Sequence, residues 1–167
     1  MTAMTSSGTA TVTLPSDEQI LIRREFNAPR HLVYKAYTTP ELVRRWWTAD
    51  RGEVTVCEID LRVGGKWRYV MIAHGGLEVG FHGEYREIVP NERVVSTEAY
   101  EGIPDADEHA TLNTLTFTDL DGGRTLMEVL VVHPTKFGRD MHIDSGMEGG
   151  LQEALDHLEQ VAVSLRS

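Results

Sequence analysis

Disulfide chemistry is closed to this chain, which holds a single cysteine, Cys57. With no disulfide to form, a reducing cytoplasm is the expected setting. Cys57 lies in the strand-like run Val54-Thr55-Val56-Cys57-Glu58-Ile59, where a small buried hydrophobe is expected. No neighbour in that run would polarise a thiolate. Long apolar runs are also missing: nothing approaches the roughly 20 residues that cross a bilayer. Positive charge is scarce, with 16 Lys and Arg against 26 Asp and Glu and a formal net charge of −10. Such a surface repels phosphate backbones and anionic headgroups, so neither nucleic acid nor membrane is an expected partner. The chain has no Gly-x-Ser-x-Gly elbow, phosphate loop or dinucleotide fingerprint, and no cofactor is expected. Gly64-Gly65-Lys66-Trp67 lacks the rest of a phosphate loop. Residues 1–16 begin without a basic start or apolar block, so they read as a flexible tail rather than a secretory signal. Residues 17–167 are expected to form one domain.

What the chain does contain is alternation followed by helical periodicity. Residues 18–26 alternate as a strand. Pro29 then suits the start of a short helix over 29–38, carrying Leu32, Val33, Ala36 and Tyr37 at helical spacing. A second helix is expected from Pro40, with Leu42, Val43, Trp46 and Trp47 on its apolar side. Strands are expected at about 54–61, 65–74, 77–89, 92–100, 110–119 and 123–133, joined by Gly64-Gly65, Gly75-Gly76, Pro90-Asn91 and Asp121-Gly122-Gly123. Short glycine-bearing links between alternating runs are hairpin signals, so an antiparallel meander follows. Leu151, Ala154, Leu155, Leu158, Val161, Ala162 and Leu165 mark a long amphipathic C-terminal helix whose stripe needs a concave sheet face. The expected fold is therefore α+β, with about seven antiparallel strands curved around that helix.

Strand parity divides the side chains. Trp67, Tyr69 and Met71, then Phe81 and Tyr85, then Asn113, Leu115 and Phe117, then Val129 are expected to face inward, because their alternates carry the charges. One helix cannot fill so curved a sheet. Gly146, Gly149 and Gly150 thin the first turns of the last helix; they either keep a gap open or permit close packing. Trp46 and Trp47 are expected to cover one end, as packing or as pocket lining. Inward polar groups are the informative minority, since burying one alone is costly. Thr97 and Asn113, with the phenols of Tyr69 and Tyr85, could orient a ligand hydroxyl or carbonyl. His133, Asp140, His142 and Asp144 cluster in sequence but match no zinc spacing, and no metal is expected.

Several separate blocks resemble one family. They are Phe26-Asn27-Ala28-Pro29, Val33-Tyr34-Lys35-Ala36, Pro40-Glu41-Leu42 with Trp46-Trp47, Asp60-Leu61-Arg62-Val63-Gly64-Gly65-Lys66-Trp67, the run from Gly83 to Arg93, and Gly146-Met147-Glu148-Gly149-Gly150 with Leu155 and Leu158. Residues 18–165 are thereby similar to the bacterial homologues of the heat-shock ATPase activator domain, within the START-like (SRPBCC, helix-grip) superfamily. The resemblance implies a deep hydrophobic cavity between sheet and long helix. Relatives often carry a bulky aromatic where this chain has Leu151, so the cavity is expected to be larger or reshaped there. Met147, Gly150 and Leu151 join the expected lining. Three functions follow as expectations: binding of a small hydrophobic molecule, polyketide- or lipid-like; a cyclase, aromatase or hydrolase drawing on Tyr69, Tyr85, Glu98 and Asn113; or a protein-interaction module, with homodimerisation possible through an edge strand.

Overall fold

In the computed structural model, residues 2–3 and 10–166 are described. β-Branched and aromatic residues in alternation build the sheet. Its strands are β1 (Thr2–Ala3), β2 (Thr11–Thr13), β3 (Gln19–Phe26), β4 (Gly52–Ile59), β5 (Lys66–Ala73), β6 (Glu78–Val89), β7 (Arg93–Tyr100), β8 (Thr111–Leu120) and β9 (Arg124–Val132). All pair antiparallel in the order β1-β2-β3-β9-β8-β7-β6-β5-β4. Seven of these match the expected strands to within about two residues; the other two are additions from the N-terminal segment. The helices are α1 (Arg30–Thr38), α2 (Pro40–Val43), α3 (Lys136–Asp144) and α4 (Met147–Ser164).

Three expectations need correction. Within the segment read as a tail, Thr11–Thr13 pair with β3, and Ala10 and Val12 are buried. Ala10 also exchanges two hydrogen bonds with the Gln152 amide of α4, at 2.9 and 2.8 Å; residues 1 and 4–9 of the tail lie outside the described residues. The second helix spans only four residues and passes into turns through Trp46 and Trp47. The helix α3 was not separated from α4 in the sequence. Thr135 caps it through the Gly138 N–H at 3.0 Å, and Gly146, at φ +81°, breaks the chain between the two helices.

The core lies between the inward sheet face and α1 and α4. Leu155, Leu158, Val161 and Ala162 of α4 are buried there, as the periodicity demands. Each large apolar side chain removed from water contributes roughly 1.5–3 kcal/mol. Arg24 of β3 lies in the same layer, 2% exposed, and donates to Asp156 at 2.8 Å and Glu159 at 3.0 Å of α4. Glu159 also accepts the Asn27 N–H at 2.8 Å. This clamp fixes how α4 crosses the sheet.

Candidate functional site

Register assembles the inward aromatic face. Tyr69 stands opposite Phe81, Leu115 opposite Val129, and Phe117 opposite Met127. The Trp67 and Tyr69 rings pack 4.8 Å apart. Trp47 meets Tyr69 and Phe81 edge-on, at 5.4 and 6.0 Å. The two adjacent tryptophans therefore differ. Trp46 is buried and donates its indole N–H to the Ala36 carbonyl at 2.9 Å; Trp47 joins the interior aromatics. Met71, Phe81 and Val129 point inward, yet each keeps part of its surface accessible.

From α4, Met147 and Leu151 pack against this cluster as partly buried side chains. Gly150 does not. A methyl group there would meet only the Arg51 guanidinium, at 3.8 Å, and Gly149 faces the same group at 3.9 Å. Close helix-to-sheet packing is thus not their role. Arg51 reaches across from the turn after α2 and holds Glu153 of α4 at 3.1 Å.

The polar side of the interior centres on a residue the strand reading put aside. Ser96 pairs with Asn113 and Glu98 with Thr111, so the even-numbered residues of β7 face inward. Thr97 does not: it pairs with Leu112, which is 41% exposed, and its hydroxyl accepts the Glu84 N–H at 3.0 Å. Asn113 Nδ2 donates to Glu98 Oε1 at 3.0 Å, and the Thr111 hydroxyl donates to Asn113 Oδ1 at 2.8 Å. Burial raises the Glu98 carboxyl, and the Asn113 hydrogen bond draws it partly back. Glu98 in turn helps raise the phenols of Tyr37 and Tyr69, after the larger effect of burial. Tyr85 is likewise raised, by burial first and then by Tyr37. Among the described residues none of these three hydroxyls has a hydrogen-bond partner, and none is sealed from solvent. Glu98 and Tyr37 are half-buried and retain accessible surface. The Trp67 indole N–H, by contrast, is both sealed and unpartnered. It sits against Gly83, where a methyl group would stand 2.6 Å away.

Cys57 is buried as expected, its thiol 3.6 Å from the Pro40 carbonyl and pushed up by burial. Sequence reasoning also missed the outer-face cluster around His82. Its ring nitrogens lie 2.7 Å from Glu101 Oε2 and 2.6 Å from Asp107 Oδ1, and Arg68 grips Glu101 with two bonds of 2.9 Å. A depression of about 390 Å3 beside it is lined by Glu58, Lys66, Trp67, Arg68, His82, Gly83 and Glu101. Its charged lining and its site on the outer face separate it from the expected apolar interior. His133 and His142 meet at 3.0 Å, but Asp140 turns to Lys136 and Arg139. No group of three or more metal-ligating side chains occurs among the described residues. Nor, among them, is any helix long and apolar enough to cross a membrane.

Known structures share this fold. A crystal structure of a Rhodobacter sphaeroides protein superposes with a TM-score of 0.85 at 27% identity, covering 94% of this chain and 99% of its own. A Nitrosomonas europaea protein gives 0.78 at 22% identity, covering 90% and 97%. An Arthrobacter aurescens protein solved by NMR gives 0.80 at 21%, covering 93% and 92%. The latter two likenesses bear on fold alone. A search of the curated proteins found no match. Residues 27–162 match a family described as "Activator of Hsp90 ATPase homolog 1-like protein". That span runs from three residues before α1 almost to the end of α4, taking in β4 to β9 with their inward residues, and the chain therefore belongs to this family.

Proposed function

We propose that this protein binds a small, mainly apolar molecule between the inward sheet face and the first turns of α4. The observation that carries this reading is incomplete burial beside the core: Glu98, Met71, Phe81 and Val129 on the inward sheet face, and Tyr37 of α1, stay half-buried. A half-buried side chain on the concave face borders space that the core does not fill. Aromatic walls with a few convergent polar groups are the usual make-up of a ligand site. Trp47, Trp67, Tyr69, Met71, Phe81, Tyr85, Leu115, Phe117, Val129, Met147 and Leu151 supply the apolar wall in this reading, and Glu98 and Asn113 the polar one. A thermal-shift screen against polyketides, sterols and fatty acids tests it. A ligand present at a hundred times its Kd stabilises the fold by about 2.7 kcal/mol, a readily visible rise in Tm. No shift from any class, together with no molecule copurifying from native cells by mass spectrometry, overturns the proposal.

A second reading, a cyclase-like enzyme, is favoured by one observation. The Glu98 carboxyl, raised by burial, stands among phenols, a placement that suits a general acid or base. Turnover of a poly-ketone substrate that survives Glu98→Gln and Tyr69→Phe removes these residues from any such role.

A further inference from the structure

We propose that Glu98 and Asn113, with the phenols of Tyr37, Tyr69 and Tyr85, form a head-group subsite for a neutral, hydroxyl-bearing amphiphile that discriminates against carboxylates. The inference rests on the binding reading above and adds a chemical class to it.

Glu98 Oε1 is occupied by Asn113; Oε2 has no partner among the described residues. The three phenols each offer a donor and an acceptor, and none has a protein partner among the described residues. The free capacity is therefore one carboxyl oxygen plus three groups that both give and take a hydrogen bond. A hydroxyl on the ligand matches that set, donating to Glu98 and accepting from a phenol. Solvent reaches these groups in the free protein, so a ligand that displaces it gains most when it remakes their hydrogen bonds.

A carboxylate head fails on two counts. Against an ionised Glu98 it sets two like charges side by side at low dielectric. Against a protonated Glu98 it still needs a cation, and among the described residues the interior offers none free. On the inward faces of β3 to β9 the described positive charge is Arg24, whose guanidinium is already held by Asp156 and Glu159. The other buried cation, Arg139, is held by Asp140 and the Ser16 and Gln19 carbonyls. Arg51, at the start of α4, is committed to Glu153. An anion would thus be buried unpaired.

Paired probes test this on the intact chain: dodecanol with dodecanoate, and a naphthol with the corresponding naphthoate, titrated by the change in tryptophan fluorescence. In each pair the alcohol is expected to bind at least about tenfold more tightly. Glu98→Gln, which keeps an oxygen for Asn113 and adds an amide donor, is expected to shrink that ratio by improving the acid. Equal affinities, or a preference for the acid, overturn the head-group assignment while the binding reading stands. A ratio unchanged in a folded Glu98→Gln protein removes Glu98 from the subsite. Failure of all four probes to bind overturns this inference, and the binding reading is then decided by the thermal-shift screen and the copurification above. The wild-type ratio needs no variant, so the outcome does not hang on whether Glu98→Gln folds.

Discussion

At Gly83 the spacing between β6 and β7 leaves no room for a side chain. A methyl group there would overlap the Thr97 carbonyl oxygen and press on Trp67 Nε1. Gly83→Ala is expected to cost about 1–3 kcal/mol, read as a lower urea midpoint with an unchanged slope. Gly149 behaves in the opposite way. Its nearest neighbour is the tip of Arg51 at 3.9 Å, so Gly149→Ala is expected to gain up to about 1 kcal/mol from helix propensity. Residue-level legibility followed chemistry. The aromatic positions were readable because large apolar side chains alternate with charges along β5 and β6 and with threonines along β8. Glu98 was named only as a candidate of the enzyme reading, and its inward placement was not readable, because Val94 and Val95 are both apolar and both buried. That pair leaves the parity of β7 undetermined, and a glutamate argues for the outside. The partner that makes Glu98 tolerable, Asn113, stands on the next strand, where single-strand alternation cannot see it.

Between elements, the clamp of Arg24 on α4 can be separated from simple packing. Its side chain is 1% exposed, whereas Asp156 and Glu159 are 49% and 26% exposed. Removing both acids strands a buried cation; replacing the cation by an apolar chain leaves two acids that water can reach. The double change Asp156→Asn with Glu159→Gln is therefore expected to lower stability more than Arg24→Met does, as denaturant melts would report. This contact was invisible in the sequence because its partners lie some 130 positions apart. The strand β2 was missed for a different reason. Three residues with one buried valine carry no periodicity, and what holds them is the neighbouring β3 and Gln152 rather than local propensity. For α3, Gly138 and a cluster of charges mask the helical pattern, while the buried Arg139 ties it to the Ser16 and Gln19 carbonyls.

For the molecule as a whole, two histidine clusters pull the pH dependence of stability in opposite directions. His82 is raised by Asp107 and Glu101, so its contribution is complete below its unfolded value of about 6.5 and fades as pH rises through the higher folded value. His82→Gln is accordingly expected to lower Tm more at about pH 6 than at about pH 9. Burial lowers His133 to about 4, with His142 and Arg139 adding to the effect, and burial lowers His142 too. Both stay neutral in the fold while the unfolded chain takes up protons, so stability declines as pH falls from about 6.5 towards 4. Glu101, held at about 2, adds a loss below its unfolded value as pH falls towards that number.

Strand order carries a consequence for how the chain is made. From β4 to β9 each strand finds its neighbour next along the chain, but β3 lies against β9, with Ile22 opposite Val129. A ribosome therefore releases β3 long before its mate exists, and one of its edges waits through the synthesis of roughly 100 residues. Pulse-labelled hydrogen exchange during refolding is expected to protect the amides of β5 to β8 first and those of β3 last. The join that closes the sheet is also the one that brings Arg24 under α4, so late-forming chain and late-forming architecture arrive in a single step.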